Sequence, residues 1–186
     1  GNLVVSDVDS GICVLLYAAE LIENDTVQKV SEYTLSRPSI ILSANRSIAI
    51  GIKANGQPSS ILIKKKWSIN DILSLCMPLY NYKRPAINGV VLENNKSIVS
   101  SCLLVLRQSR LLPAGLMSII SAVTIENINE WAFKNGFLHV EANDIKSYET
   151  SNADRLTMSV KAKVPIAYSD NCEIIIFRPK DGGDEH

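Results

Sequence analysis

The chain is poor in the residues that usually announce chemistry: among 186 residues it has two histidines, four cysteines and no excess of either charge. Nineteen Lys and Arg balance nineteen Asp and Glu, so no net field would draw the protein onto nucleic acid or an anionic membrane. Cys13, Cys76, Cys102 and Cys172 are widely spaced and form no Cys-x-x-Cys pair, which argues against a zinc knuckle and against a dithiol redox motif. Each lies in an apolar stretch and is expected to be a reduced, buried thiol of a cytoplasmic protein. No basic n-region with an apolar h-region opens the chain, and no run of about 18 apolar residues occurs, so neither secretion nor membrane spanning is expected. The missing initiator Met fits a trimmed or partial chain. Glycine-rich phosphate loops, internal repeats and low-complexity tracts are lacking too. His139 sits in an apolar strand and His186 is terminal, so a Ser-His-Asp or Cys-His triad has no basis. The run Lys64-Lys65-Lys66 before Trp67 reads as a solvated strand end rather than a grip on a base or phosphate.

What is present is the composition of an ordinary globular domain, 46% apolar and 20% charged. Strand-like and helix-like segments alternate. Leu3-Val4-Val5, Ile12 to Tyr17, Ser39 to Leu42, Ile61 to Ile63, Gly89 to Leu92, Gly115 to Ile120 and Phe137 to Val140 read as strands. Asn24, Asp25 and Thr26 offer caps for a helix with Val27, Val30 and Thr34 inward, ended by Pro38, and Asn55-Gly56 marks a turn. Ser68-Ile69-Asn70-Asp71 is a capping box with Asp in the Glu position, opening a helix with Ile69, Ile72, Leu73 and Cys76 on one face. Helices are expected from Ile98 to Gln108 and from Thr124 to a C-terminal Gly136, with a last turn at Asp144 to Tyr148. Such alternation implies an α/β, or α+β layered, domain: a mixed sheet flanked by helices. Beyond Glu149 the character changes, with a polar, linker-like stretch and then two β runs, Val160 to Ala167 and Glu173 to Phe177. Two strands alone are not independently stable, so this tail needs further partners.

Several short stretches, in order, resemble the 3,4-dihydroxy-2-butanone 4-phosphate synthases. Leu16-Tyr17-Ala18-Ala19-Glu20-Leu21-Ile22 is similar to that family's first signature, and Leu111-Leu112-Pro113-Ala114-Gly115 to its later Gly-Leu-x-Pro-Ala-Gly. Asn129 to Phe137 resembles its Glu-Phe-Ala-x-x-His-Gly-Leu helix, Asp144-Ile145-Lys146-Ser147-Tyr148 its closing Asp-Leu-Ile-x-Tyr, and Arg84-Pro85 the start of its Arg-Pro-Gly-His. Ser68 and Asp71 fall on a Gly-Ile-Ser-Ala-x-Asp-Arg run, while residues 44–62 match poorly. Val164 to Tyr168, Ile174 to Phe177 and Gly183-Asp184-Glu185-His186 resemble the opening of GTP cyclohydrolase II, a common fusion partner. The resemblance implies a synthase-like domain over 1–148, a linker over 149–159 and a truncated cyclohydrolase II-like segment over 160–186. The zinc cysteines of a cyclohydrolase are not in this segment.

Members of the synthase family convert ribulose 5-phosphate to the four-carbon phosphate and formate with magnesium, which calls for oxygen ligands, proton-moving groups and a cation for the phosphate. The family's acidic Arg-Glu-Asn-Glu-Gly-Asp run falls on Asp9 to Val14, where its acidic positions become Ser10, Ile12 and Val14. Its Arg-x-Gly-His-Thr falls on Asn95 to Val99, with Ile98 in place of the histidine; its Cys-Glu pair falls on Ser118 and Ile119; the His of Arg-Pro-Gly-His falls on Ile87. An aliphatic side chain neither binds magnesium nor moves a proton. The expectation is a catalytically silent module that folds and dimerises for an attached cyclohydrolase II domain, with no cofactor, nucleic acid or membrane partner. The rival is a working lyase whose magnesium site is rebuilt on Asp7 and Asp9, which flank Val8, with Arg84 or Lys96 on the phosphate.

Overall fold

The computed structural model describes residues 2–53, 56–87, 96–154, 156–165 and 172–180. The chain divides into two compact units, Gly1–Ile145 and Lys146–His186.

The first unit is built on six strands: β1 (Leu3–Asp7), β2 (Ile12–Ala18), β3 (Ser39–Leu42), β4 (Ser59–Leu62), β5 (Ala114–Ile119) and β6 (Leu138–Glu141). They form one sheet in the order β4-β3-β5-β2-β1-β6, antiparallel at every step except the parallel β1–β6 pair. The expected mixed sheet with flanking helices is the fold observed. β2, β3 and β5 are buried almost throughout, as their mainly apolar sequences require of strands covered on both faces.

Two apolar layers cover the sheet. On one face Val4, Leu15, Ile40, Ile61 and Leu116 meet Val30 of helix α1 (Thr26–Thr34), Ile72 and Leu75 of a later helix over Ile69–Cys76, and Ile128 and Ala132 of another over Ile128–Lys134. On the other, Val5, Val14, Leu16, Ile41 and Met117 meet Ile98, Val99, Cys102, Leu103 and Leu106, all carried on a helix over Lys96–Gln108.

Local signals explain most boundaries. α1 ends at Thr34, with Leu35 in the left-handed region at φ 54°, three residues before Pro38. A helix absent from the sequence reading, α2 (Ala44–Ala49), follows β3; Ser43 caps it by accepting from the Arg46 N–H. The Ser68–Asp71 capping box forms reciprocally at the start of α3 (Ile69–Cys76). α4 is the helix Lys96–Gln108, and the strand expected at Gly89 to Leu92 lies outside the described residues, as does Asn55 of the turn at Gly56. A 3-10 turn at Ile125–Asn127 leads into α5 (Ile128–Lys134), and Gly136 takes φ 72° just past its end.

α6 (Ala142–Asp154) is longer than the last turn expected at Asp144 to Tyr148 and runs into the stretch expected to be a linker over 149–159, and the next strand begins at Leu156. No Gly or Pro interrupts 142–154, and polar residues alone do not stop a helix. In the second unit β7 (Leu156–Lys163) and β8 (Glu173–Pro179) pair antiparallel, with a bulge between Met158 and Val160. Val160, Ala162, Ile174 and Ile176 are cross-strand partners on one face of this ribbon. Residues 166–171 and 181–186, which include part of the cyclohydrolase-like stretch and His186, lie outside the described residues.

Candidate functional site

β2 and β5 run side by side with Val14 opposite Ile119, so alternation puts both on the sheet face that α4 covers. Val14 is 0% exposed and Ile98, on the first turn of α4, is 1% exposed. Ile12 and Ile119 pack against the same cluster. Four positions where the resemblance calls for acids or imidazole thus belong to one apolar cluster. Ile87 packs in the cluster on the opposite face.

Ser10 is exposed in the β1–β2 turn, its hydroxyl donating to the Asp7 carbonyl at 3.4 Å. β1 stops at Asp7, and residues 8–11 form the turn, closed by the Gly11 N–H on the Val8 carbonyl at 3.2 Å, with Gly11 at φ 68°. Asp7 is therefore buried at a strand end while Asp9 is exposed in a turn, and the two do not share a strand face. Arg84 is exposed in a segment without regular structure. Lys96 begins α4, and its side chain lies outside the described residues.

Among the described residues, no group of three or more His, Cys, Asp or Glu gathers where a metal ion could sit. Magnesium wants several oxygen ligands, and Ile12, Val14, Ile98 and Ile119 offer none, so these residues do not fit the ion. What the arrangement can do is hold α4 on the sheet.

No family model matches the chain. It is 25% identical over 191 residues to a GTP cyclohydrolase-2 from Azospirillum brasilense, and the match takes in all of this chain and 49% of that protein. The chain thus spans about half the length of that relative. A two-domain 3,4-dihydroxy-2-butanone 4-phosphate synthase from A. baumannii, RibBX, superposes with a TM-score of 0.62 at 13% identity, over 99% of this chain and 64% of that one. The 3,4-dihydroxy-2-butanone 4-phosphate synthase of Candida albicans gives a TM-score of 0.62 at 16% identity, over 80% of this chain and 90% of its own. The chain has the fold of a 3,4-dihydroxy-2-butanone 4-phosphate synthase. A synthase solved with two magnesium ions shares that fold at a TM-score of 0.59 and 12% identity, over 82% of this chain and 92% of its own.

Within this synthase fold, several polar side chains serve structure in ways that sequence reasoning did not foresee. Glu20 accepts a 2.7 Å hydrogen bond from the Leu112 N–H, joining the two stretches most like the synthases, Ala18 to Ile22 and Leu111 to Gly115. Arg46 of α2 donates to the carbonyls of Leu75, Ser74 and Met77 at 2.7, 2.8 and 3.0 Å, satisfying the open C-terminal end of α3. Ser118 is buried and shares a 2.8 Å hydrogen bond with Thr34 of α1, whose hydroxyl donates to the Val30 carbonyl.

His139 is the satisfied strand residue expected. Its Nδ1–H points at the Asn129 side-chain carbonyl, which leaves Nε2 to accept from the Ser6 hydroxyl at 2.8 Å. Burial holds its pKa below the ordinary histidine value, against the opposing charge of Glu141. Cys13, Cys76 and Cys102 are buried, as expected, whereas Cys172 is only partly so. Burial pushes the Cys13 thiol up to about 11, helped by Glu126, and the Cys76 thiol up to about 12.

Proposed function

We propose that the chain is a catalytically silent 3,4-dihydroxy-2-butanone 4-phosphate synthase-like module of a riboflavin-biosynthesis protein. It serves as a folding and dimerisation platform for a GTP cyclohydrolase II domain of the same polypeptide. The observation that carries this reading is the joint burial of Val14 and Ile98 beside Ile12 and Ile119. A site that enolises a sugar phosphate needs groups that bind a cation and exchange protons, and hydrocarbon does neither. Aliphatic replacements remove buried charges and keep the layer between α4 and the sheet filled, so the fold outlives the chemistry. The similarity to a GTP cyclohydrolase-2 over the whole chain, β7–β8 included, supports the covalent partnership. A two-stranded ribbon with exposed Met158, Val160 and Ile174 is the kind of structure that further strands would cover.

Incubation with ribulose 5-phosphate and Mg²⁺ should release no formate above a no-enzyme control, and light scattering should give a dimer. Formate at the rate of an active synthase would establish the rival lyase, whose magnesium would have to be held by the separated Asp7 and Asp9. A strict monomer would remove the platform role.

A further inference from the structure

At the Ala18–Gly115 end of the sheet, away from Val14 and Ile119, a cavity of about 290 Å³ opens between α2, the end of α3 and the start of β5. Ala49, Cys76, Pro78, Leu112, Pro113 and Ala114 make its walls apolar, and Arg46 is its charged member. A guanidinium has five N–H groups. Arg46 places Nε–H and both Nη2 hydrogens on the three carbonyls at the end of α3, those of Ser74, Leu75 and Met77, and among the described residues no acceptor takes the two Nη1 hydrogens. Among the described residues the one buried side-chain polar atom lacking a partner is Ser59 Oγ, so Nη1 is open to solvent or to a ligand.

The charge around this edge is not balanced. Burial lowers the pKa of Arg46, and the like charge of Arg84 adds to it. Among the described residues no carboxylate forms an ion pair with either arginine. Glu20 is the acid nearby: it is held on the Leu112 N–H and its charge is felt at Cys76. The charged residue lining this mostly apolar space is thus a cation, with Arg84 acting on it from outside the lining, a combination that favours a ligand with a negative end and a hydrocarbon body.

We propose that this cavity is a binding site for a small carboxylate with a short apolar body, its anionic end on the open Nη1 edge of Arg46 within the field of Arg84. The silent-module reading does not use this site, and the rival lyase shares only Arg84 with it. α2 lies in the stretch, residues 44–62, that matches the synthase motifs poorly. For a ligand of about six heavy atoms a dissociation constant on the order of 1 mM is expected.

The test is an amide-resolved NMR titration of the full chain with sodium butyrate, with 1-butanol and sodium sulfate as comparators at matched ionic strength. Butyrate should give saturable shifts at Ala49, Leu112 and Ala114, larger than either comparator gives. Arg84→Ala should weaken binding about threefold and Glu20→Gln, which keeps the acceptor for Leu112 N–H, should tighten it about threefold, as partly screened charges do. Ala49→Phe, at an exposed wall position, should abolish saturation while leaving the charges in place. Shifts that stay linear in butyrate, an equal response to butanol or to sulfate, or unchanged affinity in Ala49→Phe would each overturn the site.

Discussion

Val14 and Ile119 are cross-strand partners under α4, with Val14 wholly shielded from solvent. Placing an acid on this face should therefore harm the fold. Val14→Asp is expected to cost about 3–5 kcal/mol, the scale of an uncompensated buried charge. Apolar surroundings raise the folded-state pKa of such an Asp, so the folded form binds the extra proton. The deficit should be smallest near pH 4 and grow as pH rises above the unfolded value of about 4. Urea unfolding at two pH values checks this; a deficit that did not change with pH would mean the carboxyl escapes to water.

Gly115 tolerates no side chain. A Cβ built there would lie 2.3 Å from the Tyr17 carbonyl oxygen, a backbone atom of the neighbouring strand that cannot swing aside. Gly115→Ala should cost about 2–3 kcal/mol through the forced separation of β2 and β5. The urea midpoint should fall with little change in slope.

His139 gives stability a pH dependence whose sign is fixed by its depressed pKa. The unfolded chain takes up the proton more readily, so the contribution is complete above the unfolded value of about 6.5 and is lost as pH falls through the lower folded value. The melting temperature of the natural chain should drop between pH 7.5 and 5.5 by more than that of His139→Gln. Parallel curves for the two would show that the Ser6–His139–Asn129 contacts add nothing.

Thiol accessibility should sort the cysteines. Cys172 is partly exposed and should react first with a disulfide reagent at pH 8, while Cys13, Cys76 and Cys102 wait for unfolding. Arg46→Ala should speed labelling of Cys76 in particular, because it removes three hydrogen bonds from the end of α3. Rapid labelling of all four thiols in the folded protein would contradict the packing described.

Much of the fold was legible because its signals are local. Ser68 and Asp71 marked the start of α3 as a reciprocal cap, Gly136 marked the end of α5 as the residue that takes a positive φ there, and β2, β3 and β5 were mainly apolar runs. α2 was not legible: six residues hold less than two turns, too few for a period to emerge, and its anchor is Arg46, whose partners lie 28 to 31 residues away. α6 was read too short because polar residues were taken for a loop although nothing in them breaks a helix. At the candidate site, sequence order suggested which positions align with the family's acids and histidine, but not that Ile12, Val14, Ile98 and Ile119 would share one cluster. The strand end at Asp7 depended on the turn that Gly11 closes, which separates Asp7 from Asp9.

The place of β5 in the sheet bears on how the protein is made. β1–β2 and β3–β4 are each neighbours in sequence and can pair as soon as they emerge from the ribosome, yet in the finished sheet both lean on β5, which arrives some fifty residues after β4. Until residues 114–119 slot between β3 and β2, the nascent chain carries two separate hairpins with open inner edges. Translation arrest shortly before Ala114 would leave a sticky intermediate, and emergence of residues 114–119 would join its two halves into one sheet, still to be covered by α5 and edged by β6.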